Sequence, residues 1–234
     1  MKPGLLFAVG ALLSAVPAMG FCSVPQPRLV CAEYFASKVV VEATLVNVRT
    51  ISDNDNPEGI SAFVYSLRAG RVFRGGMAGT FQVYESNDSG RATFDWKTGQ
   101  TYLLFLSYSD PEKAWVLDGC GNSGPLIRAK AALKEIAAIQ RRHGRDGHIY
   151  GMVSQRALSV PIPQVQVEAR GTGGVYRAAT NAKGEFEIKV PPGVYSVSAT
   201  KGEFLFGDVD ISYANSLYLH VEPGGCVQLQ LAAR

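Results

Sequence analysis

The chain has 234 residues, 47% of them hydrophobic and 18% charged, an ordinary composition for a globular protein. Its net charge of +3 is too small, and its basic residues too little interleaved with aromatics, to imply a nucleic-acid partner. Pro, Gly, Tyr, Val and Thr cluster in short runs, which leans towards β structure.

The N-terminus reads first. Lys2 is followed by an uncharged apolar run, Leu5 to Val16, and then by small residues at Ala18 and Gly20. This is the pattern of a secretory signal peptide, assigned to residues 1–20. The run is too short for the roughly 20 residues that cross a bilayer, and no later run reaches that length. The mature chain is therefore expected to carry no transmembrane segment and to be periplasmic or secreted. Cys22 follows Phe21 rather than a small residue, so lipidation is not expected. Export places Cys22, Cys31, Cys120 and Cys226 in an oxidising compartment, where an even count suggests two disulfides; three pairings are open. No C-x-x-C pair occurs, and His143, His148 and His220 are not at ligand spacings, so no metal site is expected.

Beyond the signal, Val39, Val41, Ala43 and Leu45 alternate with other residues in KVVVEATLVNV and predict a half-buried strand over 38–48. The loop SDNDNPEG at 52–59 separates it from a second strand over 62–73. A third strand is predicted at 80–84. The near-continuous apolar run QTYLLFLSY at 100–108 predicts a strand buried on both faces, and 115–117 a short last one. The period then changes. Leu126, Ala129, Leu133 and Ile136 recur at helical spacing in PLIRAKAALKEIAAIQRR, with Pro125 at the start and Gly144 beyond the end. Period two returns after His148. Val165–Ala169, Phe186–Val190, Tyr195–Ala199 and Val227–Leu231 each alternate apolar with polar, predicting antiparallel strands with one buried and one wet face. Turn sequences GTGG, NAKG and PPG punctuate them, as in a small sandwich.

Two resemblances follow from these residues. IYGMV at 149–153, PIPQVQVEARG at 161–171, TNAKGEFEI at 180–188 and PPGVYSVSAT at 191–200 resemble the carboxypeptidase regulatory-like (transthyretin-like) domain. That resemblance implies a β-sandwich of accessory or interaction type, without catalytic residues of its own. The first half more loosely resembles the netrin-like, or tissue-inhibitor-of-metalloproteinase-like, OB-fold. The residues that carry it are Cys31 with AEYFASKVVVEATL behind it, RVFRGG at 71–76, GQTYLLFL at 99–106 and CGNSGPL at 120–126. It implies a five-stranded barrel packed on helices and a disulfide from the N-terminal segment to the CG motif. On that basis Cys31–Cys120 is the favoured pair, leaving Cys22 for Cys226. The inhibitors in that family present a terminal cysteine amine and a C-x-C pair. Here Phe21 precedes Cys22, and eight residues separate Cys22 from Cys31.

The chemistry-bearing residues form no catalytic pattern. GCGNSG at 119–124 departs from the G-x-S-x-G elbow, and its cysteine is better explained as half of a disulfide. Asp53, Asp55 and Glu58 share a loop but lack calcium-loop spacing. Glu185 and Glu187 read as wet-face charge. Phe204, Phe206 and Tyr213, in an aromatic-rich stretch that breaks the period-two pattern, are the candidate ligand surface. The expected architecture is all-β with one or two helices. An OB-like barrel spans 21–124, a helix and linker 125–147, and a sandwich 148–234. The expected function is an exported, non-catalytic binding or interaction protein that uses no cofactor, with a protein or cell-envelope partner. Metalloprotease inhibition and carbohydrate binding are the alternatives.

Overall fold

The computed structural model describes residues 27–55, 58–88, 91–92, 94–141, 146–155, 160–202, 206–210 and 218–233, with the backbone alone for 206–210. The expected signal peptide and Cys22 lie outside the described residues.

The first half runs α1 (Val30–Ala36), β1 (Val39–Ser52), β2 (Ile60–Arg74), β3 (Thr80–Ser86), β4 (Thr101–Ser109), β5 (Ala114–Leu117) and the two-residue β6 (Gly124–Pro125). A 3-10 turn over Leu126–Arg128 leads into α2 (Lys130–Arg141). Five strands make a ring: β1 pairs with β2 and β4, β2 with β3, β4 with β5, and β3 meets β5 in the single parallel pair Val83–Trp115. With so thin a closure, the expected OB-like barrel is a ring rather than a fully closed barrel. Breaks in register at Val40/Val41, Val41/Ala43 and Leu45/Asn47 bend β1 so that it serves both neighbours.

The period-two face of β1 lines the ring: Val39, Val41, Ala43 and Leu45 pack with Leu67, Val83, Tyr102, Leu104 and Leu106. The alternate residues of β4, Leu103 and Phe105, face outward under Ala32, Tyr34, Ile136 and Ile139 of the two helices. The apolar run of β4 is thus buried on both faces, as its lack of alternation requires.

The second half runs β7 (Gly147–Gln155), β8 (Val160–Pro161), β9 (Gln166–Gly171), β10 (Gly174–Ala179), β11 (Glu185–Val190), β12 (Gly193–Thr200), β13 (Phe206–Asp210), β14 (Leu219–Val221) and β15 (Cys226–Ala233). They form two sheets, β10-β9-β12-β14 and β11-β7-β15-β13, with β8 paired to β7. Ile149, Val153, Val165, Val167, Phe186, Ile188, Tyr195, Leu229 and Leu231 fill the space between the sheets. The NAKG turn forms as expected: Asn181 Oδ1 accepts from the Lys183 and Glu185 amides.

Two expectations for β15 need correction. It runs parallel to β7, from Cys226 beside His148 to Ala233 beside Gln155, where antiparallel pairing was expected. The face carrying Gln228 and Gln230 was expected wet, yet these residues are 8% and 5% exposed. The segment entering α1 lies over that face. Gln228 Nε2 donates to the Pro27 carbonyl at 3.0 Å, and Gln228 Oε1 accepts the Leu29 amide at 2.8 Å.

The same contact corrects the disulfide assignment. Cys31 is bonded to Cys226, with 5.9 Å between Cα atoms, so neither Cys31–Cys120 nor Cys22–Cys226 forms. The reason is the docking of α1 against β15, which brings position 31 over the start of that strand. Cys120 is also disulfide-bonded, to a partner outside the described residues. What α1 and the residues before it give the segment around the CG motif is polar: Glu33 Oε2 accepts the backbone amide and Nδ2 of Asn122, each at 2.6 Å, and Arg28 pairs with Asp118 at 2.7 Å. Arg74 adds a second link between the halves. It pairs with Glu222 at 2.5 Å and donates to the Ser37 carbonyl at 3.0 Å.

Converting Cys31 and Cys226 together to Ser opens a loop with a sequence separation of 195. Loop-closure entropy puts the loss near 5 kcal/mol. Thermal unfolding of the double variant is expected well below that of the parent under non-reducing conditions, and non-reduced peptide mapping of the parent is expected to give a Cys31–Cys226 linked pair.

Candidate functional site

The candidate site is a groove of about 430 Å³ where the N-terminal segment meets the sandwich. This is within the usual size range of ligand pockets. Each wall comes from a different element. Pro27 and Leu29 form one side, held there by Gln228. Tyr150, Gly151 and Met152 of β7 supply the floor, and Asn181, Glu185, Phe186 and Glu187 the opposite rim, with Ala178 and Ala179 of β10 beyond it.

The register explains why these side chains converge. Glu187, Tyr150 and Gln228 lie in one row across β11, β7 and β15, and Glu185, Met152 and Gln230 in the next. Period two puts all six on the outer face, away from the core. Gly151 lies between the two β7 residues and faces the core, where the Phe186 ring rests on it. A Cβ at Gly151 would fall 2.4 Å from that ring and 2.7 Å from the Leu229 carbonyl oxygen. The close approach of ring to backbone sets the depth of the floor.

The charge of the lining is negative. Glu185 and Glu187 contribute carboxylates, and among the described residues the lining holds no Lys or Arg. Glu187 Oε1 is 2.7 Å from His148 Nδ1, and the His148 ring stacks on Tyr150 with 5.6 Å between centroids. Glu185 Oε2 accepts from Asn181 Nδ2 at 3.0 Å. The lining has carboxylates and amides that hold and orient. Among the described residues it contains no Ser, Thr, Cys or Lys.

A second cluster lies beneath α1. Glu33 is 1% exposed, and its Oε1 has no hydrogen-bond partner. That oxygen fills the space a Cβ would need at Gly121, 2.0 Å from the ideal position, so a larger residue there would displace the Glu33 carboxyl. Burial, opposed by the two Asn122 hydrogen bonds, pushes the Glu33 carboxyl up to about 7.

Of the residues singled out in sequence, Phe204 and Tyr213 lie outside the described residues. Phe206 opens β13 opposite Ala233, with nothing described of its side chain. In the acidic loop, Asp53 Oδ1 accepts the Asp55 amide and Glu58 bonds Asn87, while no cluster of three metal-ligating residues occurs among the described residues. Sequence reasoning missed Tyr150, Met152 and Gln228. One signal was present: in HIYGMV, Tyr150 and Met152 are apolar like Ile149 and Val153, so the segment does not alternate as a half-wet strand would.

Residues 148–212 match the carboxypeptidase regulatory-like domain. This is the domain expected from the turn and strand sequences of the second half, and all the groove's β7, β10 and β11 residues lie within it. No curated protein matches the chain. Among solved structures, the chain is similar to the Bacillus anthracis TIE protein at 13% identity and a TM-score of 0.31, over 84% of this chain and 31% of that one. It is also similar to a variant of BcpA, the major pilin subunit of Bacillus cereus, at 9% identity and a TM-score of 0.30, over 86% of this chain and 61% of that one. The chain thus spans less than two thirds of either neighbour, and likeness at this level carries no argument about function. No helix among the described residues is long and apolar enough to cross a membrane.

Two outcomes test the site's geometry. Gly151→Ala forces a methyl into the Phe186 ring and the Leu229 carbonyl, and is expected to lower stability by about 1–3 kcal/mol in urea unfolding. Glu33 ionises near 4.5 in the unfolded chain and near 7 in the folded one. Its stabilisation is therefore full below pH 4.5 and lost as pH rises through 7, a change of a few kcal/mol. Thermal unfolding of the parent is expected to fall across that window, and that of Glu33→Gln to stay flatter.

Proposed function

We propose that the chain is an exported, non-catalytic binding protein of the cell envelope or extracellular space, and that the groove beside Tyr150 and Met152 is its binding surface. In this reading residues 1–20 are a signal peptide removed on export. A netrin-like OB-type unit over 21–124 and a connecting helix and linker over 125–147 support the sandwich over 148–234. The observation that carries the reading is the groove itself. It is built from both halves of the chain and fixed by Gln228 and the Cys31–Cys226 bond. Its lining is apolar and acidic, suited to holding a ligand rather than transforming one. The disulfide also fits an oxidising compartment.

Labelled mature protein is expected to bind envelope preparations saturably. Met152→Glu, which puts a charge on the floor, should weaken that binding at least about tenfold while thermal unfolding is unchanged. Non-saturable binding, or a Met152→Glu variant that binds like the parent, would overturn the reading.

A further inference from the structure

β11 ends its sheet, in the order β11-β7-β15-β13, and the hydrogen bonds around it show which backbone groups face outward. The His148 amide donates to the Gly225 carbonyl, on the β15 side of β7, and the Val153 amide donates to the Gly184 carbonyl, on the β11 side. Even-numbered residues of β7 therefore turn away from β11. Their opposite numbers Glu185, Glu187 and Lys189 form the non-hydrogen-bonded pairs of the ladder. The N–H and C=O of these three point to the open edge. Glu185 uses both on Asn181: its carbonyl accepts the Asn181 amide at 2.9 Å and its amide donates to Asn181 Oδ1 at 3.1 Å. Those of Glu187 and Lys189 have no partner among the described residues.

Natural edge strands are usually blunted by shortness, charged side chains, a proline, a bulge or a covering helix or loop, and of these β11 has the charges Glu185, Glu187 and Lys189. β11 pairs without a break over six residues and contains neither Pro nor Gly. Its Lys189 is tied to Asp146 at 2.9 Å. The groove runs along this edge, lined by Tyr150 and Met152 on the sheet face and by Ala178 and Ala179 beyond β11. We propose that the β11 edge at Glu187–Lys189 takes up an extended segment of a partner polypeptide, in which apolar and basic residues alternate, as an added strand. The proposal rests on the groove being the binding surface and names what it binds.

The pattern follows from the register. A residue pairing with Glu187 exchanges both backbone bonds with it and raises its side chain on the same face, at cross-strand distance. A basic side chain there meets the carboxylates of Glu185 and Glu187, which face no Lys or Arg among the described residues of the lining. The residues on either side point to the opposite face, towards Phe186 and Ala178, where apolar side chains close the gap between the sheets. Main-chain bonds give the affinity and the alternate side chains the selectivity, as in other cases of strand addition.

The test uses a short fluorescein-labelled peptide of alternating Val and Lys with the full mature protein. Fluorescence anisotropy is expected to show saturable binding. Substituting Glu for Lys in the peptide should weaken binding at least about tenfold, as should N-methylation of the backbone amides that face the edge. Glu187→Lys should reverse the charge preference while unfolding like the parent. Equal binding of the N-methylated or Glu-bearing peptide would overturn the proposal. If the Val–Lys peptide fails to bind while Met152→Glu still abolishes envelope binding, strand addition is wrong and the groove reading stands. If Met152→Glu leaves envelope binding intact, the groove reading itself is wrong.

Discussion

The side-chain amide of Gln228 holds Pro27 and Leu29 much as a neighbouring strand would, accepting from one residue and donating to another, and two residues earlier Cys226 is bonded to Cys31. Most of the molecule's geometry depends on this attachment. α1 has seven residues and no side-chain cap, too short to persist alone. Its free amide at Cys31 is satisfied by Glu135 of α2 at 3.2 Å, and Tyr34 donates to the Phe73 carbonyl at 2.8 Å. α1 is therefore a product of tertiary contacts, and once fastened it covers β4 on one side and β15 on the other. Without it Leu103 and Phe105 would lose the cover of Ala32 and Tyr34, and the groove would lose a wall.

The seam is also where the interior is most polar. Glu33 and Gln230, both nearly unexposed, each keep one oxygen without a partner. Such groups weaken a core by about 1–3 kcal/mol each when left unpaired. Glu33 lies in α1, and Gln230 of β15 donates to Ser154 Oγ of β7 at 2.7 Å. The ring carries one such group, the buried Nε1 of Trp96, while in the sandwich interior Thr180 is satisfied by the Ile162 carbonyl and the Val165 amide.

Local pattern was enough to read most of the architecture. The alternation in Val39–Leu45, the unbroken apolar run of β4 and the NAKG turn each reflect forces acting within a few residues, and each appears where expected. α1 was not legible, because no amphipathic period fits in seven residues. The pairing of Cys31 was not legible either, because it depends on which strand α1 lies upon. The groove was partly legible. Tyr150 and Met152 make β7 apolar on both faces, but their significance needed Pro27 and Leu29, residues more than a hundred positions away. Gln228 and Gln230 looked solvated for the same reason: periodicity reports that a face is polar, and only tertiary structure reports that another segment covers it.

The parallel pairing of β15 with β7 has a consequence for how the molecule is made. β15 sits between β7 and β13, so the second sheet lacks an inner strand until nearly the whole chain has been delivered. Contacts of such long range close late and slowly. Cys31 emerges early and has no bond to make until Cys226 arrives, 195 residues later. During that interval its thiol is open to exchange with any other cysteine already present. Correct oxidation is thereby coupled to completion of the sandwich: the enzyme or oxidant that forms this bond reads, in effect, whether the last strand is in place.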